Sequence, residues 1–208
     1  MLSRLSVLFA ALCLAGCSGD HKWASDADVA RSTYVAAPPA TITLITSING
    51  RSGSGAHSAI IISGSQRVLF DPAGSWELQD GQAPERNDLH YGITPGALQS
   101  YLDFQSNGIF YVISQTVQVP IAVADQQIAA AVAFGSTPQA YCTHSTSTLM
   151  RTVPGFASLP VTFFPKVLAQ SFGKMPGVQT QILQGPDGGA ELGAANKIVN
   201  IGSVPVTN

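Results

Sequence analysis

Hydrophobic and polar residues alternate over residues 41–48, a pattern typical of a β-strand with one buried face. The glycine- and serine-rich segment 49–55 that follows predicts a flexible loop. Two apolar runs, 57–62 and 67–71, flank the polar residues 63–66 and predict an antiparallel hairpin. The first part of the domain is therefore expected to be a small sheet.

Apolar positions three or four residues apart replace this alternation further along the chain. Threonine accepts backbone N–H groups at a helix start and proline fits the first turn, so Thr94-Pro95 and Thr137-Pro138 each predict a helix start. Gly135 and Gly173 predict helix ends. Four helices are predicted, over residues 94–102, 123–134, 137–152 and 165–172.

The remaining segments complete the predicted fold. A strand is predicted over residues 109–117 and a last short strand near 198–201. The polar stretch 75–93 predicts a long surface loop of the kind that borders a binding site. Strands and helices in this mixed order predict the α+β class.

The first forty residues differ in composition from the rest. Residues 1–16 hold one basic residue, Arg4, and an apolar run far shorter than the roughly 20 residues of a membrane-spanning helix, which predicts a removable signal peptide. Residues 17–40 are polar, rich in small side chains, and predict a flexible tether. Residues 41–208 are enough for one domain with a sizeable core, and we expect a single domain.

The end of the signal peptide, Leu14-Ala15-Gly16-Cys17, resembles the lipobox of bacterial lipoproteins, in which the cysteine thiol is diacylated and becomes the new N-terminus. The resemblance implies a membrane anchor on Cys17. Because Ser18 rather than aspartate follows, it also implies sorting to the outer membrane, with the domain facing the periplasm. An ordinary secretory peptide with Cys17 as a spare thiol is the alternative.

Charge and cysteine content narrow the function classes. Charged residues make up 11% of the chain and are scattered, with a formal net charge of −2, which excludes a nucleic-acid-binding footprint. Of the three cysteines, Cys13 leaves with the signal peptide and Cys17 takes the lipid. Cys142 then has no partner for an intramolecular disulfide, so it is either a small buried hydrophobe or a functional thiol.

Three side chains in the predicted elements could form a nucleophilic site. Cys142 lies near the start of a predicted helix, whose positive end lowers the pKa of a thiol. His57 begins one strand of the hairpin and Asp71 ends the other. With the turn centred near residues 64 and 65, Asp71 falls almost opposite His57, although a register change of one residue would place the two on opposite faces.

The order of these residues resembles the circularly permuted branch of the NlpC-like papain-fold cysteine hydrolases, which includes the lecithin:retinol acyltransferase-like proteins. The resemblance covers about residues 41–152 and rests on the segments Ala56-His57-Ser58-Ala59-Ile60-Ile61-Ile62 and Tyr141-Cys142-Thr143-His144-Ser145-Thr146. It implies a permuted papain-like fold, with an antiparallel sheet packed against helices and the nucleophile helix after the histidine strand.

The same resemblance implies a triad in which Cys142 is the nucleophile, His57 the general base and acid, and Asp71 the orienting residue. Acyltransferase-like members usually have asparagine where this chain has Tyr141, and many relatives have histidine in place of Asp71. The backbone N–H of Cys142 is expected to donate to an oxyanion, as amides at helix starts commonly do.

Three further side chains are candidates for substrate binding: Tyr141, which is also a candidate second oxyanion donor, and His90 and Trp76 in the predicted loop. The alternative for His90 is a solvated loop residue. Cys142 and His144 could suggest a metal site, but side chains two residues apart on a helix point about 200° from each other. We therefore expect neither a metal nor another cofactor.

These inferences predict a lipid-anchored cysteine hydrolase or acyltransferase that attacks an amide or ester through an acyl-enzyme on Cys142. Peptidoglycan peptides and lipid-linked acyl groups are the expected substrates, and no nucleic-acid partner is expected. The alternative is a non-enzymatic envelope lipoprotein that binds a partner protein or a cell-wall component, with Cys142 buried and inert.

Overall fold

The computed structural model describes residues 22–78, 82–184 and the backbone of 199–201. In this part of the chain the strands are β1 (Thr41–Asn49), β2 (Gly55–Ser63), β3 (Arg67–Phe70), β4 (Glu85–Arg86), β5 (Leu89–His90), β6 (Phe110–Gln118), β7 (Gln179–Gln184) and β8 (Val199–Ile201). The helices are α1 (Asp26–Ser32), α2 (Pro95–Gln105), α3 (Ile121–Phe134), α4 (Cys142–Met150) and α5 (Pro165–Phe172).

The eight strands form one antiparallel sheet in the order β4-β5-β3-β2-β1-β6-β7-β8. This arrangement confirms the α+β class. β1 lies at the centre because it pairs along its whole length with β6 and along most of it with β2. The central strands β1 and β2 are therefore buried over most of their length.

Both faces of the central sheet are covered. On one face Ile42, Leu44, Ile60 and Ile62 pack in a single hydrophobic cluster with side chains from α3, α4 and α5. On the other face Ile45, Ala59, Ile61 and Val112 pack against Ala97 and Tyr101 of α2. The prediction that β1 has one buried face is therefore incomplete, because Ile45 and Ser47 on the second face are also buried and contact α2.

Two predicted helix starts have different outcomes. The Thr94 hydroxyl accepts the Ala97 N–H at 3.2 Å and caps α2 as predicted, and α5 has the predicted bounds. The helix predicted to start at Thr137 starts instead at Cys142. The Thr137 N–H donates to Asp88 Oδ2 at 2.7 Å, and Ala140 has a φ of 69°, so the backbone before Cys142 is not helical.

The long surface loop predicted over 75–93 is wrong in its second half. β4 and β5 form a short hairpin there, and β5 pairs with β3 at the edge of the sheet. Trp76, Tyr91 and Ile93 are buried. Contacts with residues distant in sequence bury this segment, and no local periodicity signals them. β7 was not predicted either, because its sequence QTQILQ is mostly polar.

Residues 22–40 do not form the predicted flexible tether. Asp26–Ser32 is a helix capped by Ser25, and the Arg67 N–H donates to the Tyr34 carbonyl at 2.7 Å. Trp23 forms an isolated bridge with Arg86 of β4. The packed domain therefore includes residues 22–40, and the signal peptide and Cys17 lie outside the described residues. Within the described part, no helix is long and apolar enough to cross a membrane.

The capping bond of Thr94 allows a direct test of the fold. Thr94→Ala should lower the free energy of unfolding by about 1 kcal/mol, because the Ala97 N–H loses its acceptor at the start of α2. Urea unfolding followed by circular dichroism measures this loss. Gln99→Ala, at an exposed position of the same helix, should cost less than about 0.5 kcal/mol. Equal losses in the two variants would contradict the capping role.

Candidate active site

The site forms where β2 extends beyond its partner β3. The β2–β3 ladder covers residues 60–63 of β2. Towards residue 55, the start of α4 packs against β2 instead. The Thr143 hydroxyl donates to Ser58 Oγ at 3.1 Å, and the Thr146 hydroxyl donates to the Ser58 carbonyl at 3.0 Å. These bonds hold the first residue of α4, Cys142, beside the neighbour of Ser58 in the strand, His57.

Asp71 lies beside His57 on the same face of the hairpin. His57 Nε2 and Asp71 Oδ1 are 2.6 Å apart. The ladder pairs Ile60 with Phe70, so residue 71 continues opposite residue 59 rather than opposite His57. Residue 59 is two residues along β2 from His57, so His57 and Asp71 lie on one face of the hairpin as diagonal neighbours. The predicted proximity of His57 and Asp71 is therefore confirmed.

The thiol of Cys142 is held by groups that favour its ionised form. Partial burial raises its pKa, but a hydrogen bond from His57, the positive charge of that imidazole, the Ser58 N–H and the Thr143 hydroxyl together lower the pKa from 9.0 to about 7. Cys142 is partly exposed, so a reactant can reach it. Because Nε2 of His57 binds Asp71, Nδ1 is the nitrogen that remains for the thiol.

His57 is held in its charged form over a wide pH range. Burial lowers the pKa of the imidazole, but the charge of Asp71, its hydrogen bond and the contact with Cys142 outweigh burial and raise the pKa from 6.5 to about 10. Between pH 7 and pH 10 the two side chains therefore form a thiolate–imidazolium pair, the arrangement that activates a nucleophilic cysteine.

Asp71 is buried with two donors on one of its oxygens. It is 2% exposed, and Oδ1 accepts the Tyr101 hydroxyl at 2.7 Å in addition to His57. Burial raises the pKa of this carboxyl, but the charge of His57 and these hydrogen bonds lower it below 3.8. Tyr101 and its neighbour Gln105 were not among the residues singled out from the sequence. No local signal indicated them, because the predicted helix ends at residue 102, before Gln105, and its packing on the sheet is not evident from the sequence.

An exposed aromatic cluster lies next to the thiol. The Tyr141 ring is 5.0 Å from Phe163 and 5.7 Å from His144, and His144 stacks on Phe163 at 4.8 Å, all between ring centroids. We call Tyr141, His144 and Phe163 the aromatic wall. Tyr141 is 44% and Phe163 50% exposed. Tyr141, a predicted substrate-binding residue, therefore has an accessible ring, and the wall is a candidate contact surface for a substrate.

The other two predicted substrate-binding residues, His90 and Trp76, are buried. Both are 3% exposed, and the Trp76 ring packs edge-on against His90 and against Tyr101, behind Asp71. Burial lowers the pKa of His90. The prediction that these two side chains line an open cleft is wrong, because Trp76 and residues 88–93 are buried.

The start of α4 presents backbone donors next to the thiol. The Ser145 N–H, which donates to the Tyr141 carbonyl at 2.9 Å, makes the first bond of this helix, so the N–H of Cys142 itself precedes the helical ladder. This amide therefore has no acceptor within the helix, as the predicted oxyanion role would require. Within the described residues, no cluster of three histidine, cysteine or acidic side chains could hold a metal ion.

A cavity of about 610 Å³ lies elsewhere, between α2 and the part of the sheet formed by β1, β2, β6 and β7. Leu98, Leu102, Thr116 and Leu183 are among the residues that line it, and the three site residues are not. The thiol is reached from the protein surface and not through this cavity.

No protein-family model, curated protein sequence or solved structure matches this chain, so function is inferred from the site itself.

The thiolate–imidazolium pair predicts a distinct pH profile. The rate of alkylation of Cys142 by iodoacetamide should rise through an apparent pKa of about 7, because the thiolate is the reacting form and His57 stabilises it. In His57→Ala the same midpoint should move up towards about 8.5, the value of a free cysteine. A native profile with a midpoint at the free-cysteine value would contradict the pairing.

Proposed function

We propose that this protein is a lipid-anchored cysteine hydrolase or acyltransferase on a permuted papain-like fold, in which Cys142 forms an acyl-enzyme with an amide or ester substrate. The observation that carries the proposal is the 2.6 Å contact between Asp71 and His57, together with the interaction by which His57 lowers the pKa of the Cys142 thiol. In support of the permuted fold, the strand that carries His57 precedes the helix that carries Cys142.

The proposed reaction uses each group at a defined step. The Cys142 thiolate attacks the carbonyl carbon, and the resulting oxyanion accepts the Cys142 backbone N–H. His57 gives its proton to the leaving amine or alcohol as the carbon–heteroatom bond breaks, which leaves a thioester. His57 then takes a proton from water or from another acceptor hydroxyl, which attacks the thioester and releases the Cys142 thiolate. Asp71 keeps the imidazole oriented throughout.

The alternative of an inert, buried cysteine in a partner-binding lipoprotein accounts less well for the same contacts. A structural cysteine needs no hydrogen bonds, whereas the Cys142 thiol is partly exposed and contacts three polar groups. A buried carboxylate behind a histidine also costs free energy that a purely structural site would not require.

Variants of the three site residues test this proposal. Cys142→Ala should abolish labelling by an electrophilic thiol probe and hydrolysis of a p-nitrophenyl ester. His57→Ala and Asp71→Asn should each lower the hydrolysis rate by about 10²-fold or more, because general acid–base catalysis and its orientation are lost. Circular dichroism should show that all three variants remain folded. If native Cys142 reacts no faster at pH 7 than an exposed free thiol, the proposal fails.

The aromatic wall and its surroundings favour an apolar substrate group. Among residues 135–164, Arg151 is the one lysine, arginine, aspartate or glutamate. Phe164 and Val161, which flank the wall in sequence, are also largely exposed. An uncharged acyl chain gains free energy from contact with such a surface, whereas a peptide rich in carboxylates does not. Of the two expected substrate classes, lipid-linked acyl groups fit these residues better.

Location supports the same substrate class. If Cys17 carries lipid, five peptide steps separate it from Lys22, the first described residue, and these steps span at most about 18 Å. The proposed anchor would therefore keep the domain within a short distance of the outer membrane, on the periplasmic side. At that position, lipid acyl groups would be the substrates closest to the domain.

Substitution in the aromatic wall tests the substrate class. Phe163→Ala should lower kcat/KM for a p-nitrophenyl octanoate by about tenfold, because contact with a long chain is lost, and should change it less than about twofold for the acetate. Phe104→Ala removes an exposed phenylalanine on α2, 46% accessible, and should leave both esters unchanged. Equal losses for both esters in Phe163→Ala would exclude an acyl-chain contact at the wall.

A further inference from the structure

The carboxylate of Asp71 is held through one of its two oxygens. Oδ1 accepts both His57 at 2.6 Å and the Tyr101 hydroxyl at 2.7 Å. Within the described residues, Oδ2 is buried and has no hydrogen-bond partner. The orientation of this carboxylate therefore depends on the two donors that share Oδ1, and one of them is the side chain that it must orient.

Gln105 determines which way the Tyr101 hydroxyl points. Gln105 Nε2 donates to Tyr101 Oη at 3.2 Å, so the tyrosine oxygen is an acceptor in that bond and its own hydrogen is directed to Asp71. Tyr101 is 0% exposed, and burial together with the charge of Asp71 raises its pKa well above 10. The hydroxyl therefore stays protonated and donates at every working pH.

The same helix end is attached to the strand pair that carries the histidine. The Ser47 hydroxyl donates to the Gln105 carbonyl at 2.8 Å, and Ser47 pairs with His57 across β1 and β2. A closed series of contacts thus runs from β1 through the end of α2 to Asp71 and back to His57. The position of Tyr101 relative to His57 is therefore fixed by its own bond to Asp71 and by the bond from Ser47 to the end of α2.

We propose that Tyr101, oriented by Gln105, is a positioning residue that holds the Asp71 carboxylate towards His57 and so maintains the reactive state of Cys142. The proposal rests on the proposed function in that it assigns Tyr101 a part in activating the thiol. Tyr101 also packs against Trp76 with ring centroids 5.3 Å apart, so a purely structural role must be separated from this one.

Several titratable groups face Asp71, and they set the direction of the expected pH effect. The hydrogen bond from Tyr101 is one of the interactions that lower the pKa of Asp71, so its removal raises that pKa. A carboxylate that is directed less firmly at His57 raises the pKa of the imidazole less, and the imidazolium in turn lowers the pKa of the Cys142 thiol less, so the thiolate forms at a higher pH. The groups that interact with Asp71 are His57 on β2, Tyr101 on α2, His90 on β5, Asp88 between β4 and β5, and Cys142 on α4 through His57 and Tyr101.

Tyr101→Phe tests the proposal because phenylalanine keeps the ring packing and removes the hydroxyl. The rate of Cys142 alkylation by iodoacetamide at pH 7 should fall about tenfold, the loss typical of a hydrogen bond to a charged group. The acid limb of the rate profile should also move to higher pH. A structural role alone would not shift this limb. Gln105→Met, which leaves the tyrosine in place, should cause a smaller shift in the same direction.

Tyr91→Phe is the matched control, because Tyr91 is a buried tyrosine in the hydrophobic cluster on the opposite face of the sheet. Its profile should coincide with that of the native protein. If Tyr101→Phe and Gln105→Met also coincide with the native profile, the positioning role is excluded while the proposed function stands. If native Cys142 has no enhanced reactivity, both proposals fall. Should Tyr101→Phe not fold, an unchanged limb in Gln105→Met would still overturn the positioning role.

Discussion

The buried carboxylate of Asp71 is the constraint on which the rest of this structure depends. An unpaired charge inside a protein costs several kcal/mol, so a buried carboxylate requires donors in fixed positions. Here the donors are His57 from β2 and Tyr101 from α2. The register of the β2–β3 hairpin and the packing of α2 on the sheet must both be correct for these bonds to form. The Asp71 side chain thus contacts both β2 and α2, although no local sequence pattern indicates that these elements meet.

The same carboxylate sets the chemistry of the thiol through His57. The charge of Asp71 raises the pKa of His57, and the charged imidazole lowers the pKa of Cys142. The start of α4 must meet His57 for this to work, and Ser58 provides the attachment by accepting hydroxyls of Thr143 and Thr146. Fold and reactivity are therefore coupled at the free end of β2, since the strand that carries the histidine also anchors the helix that carries the cysteine.

Local patterns predicted well those features that depend on local interactions. Thr94 caps α2, α5 has the predicted bounds, and the hairpin brings His57 and Asp71 together. The errors occur where distant contacts override local signals. Asp88 binds the backbone of Thr137 and the helix starts later, at Cys142. Residues 22–40 and 82–93 are polar in sequence, yet they pack because each segment meets a sheet edge that its own sequence does not reveal.

Tyr101 illustrates why part of the site could not be predicted. Tyrosine and glutamine four residues apart on an amphipathic helix are common, and nothing in the sequence states that α2 covers the face of the sheet on which Asp71 lies. That information comes from the packing of α2 on Ile45, Ala59 and Ile61. Hydrophobic contacts therefore place a polar side chain where a buried charge needs it. Because the helix is held by apolar burial, the hydroxyl of Tyr101 is already in place before any substrate binds, which is the condition for a preorganised site.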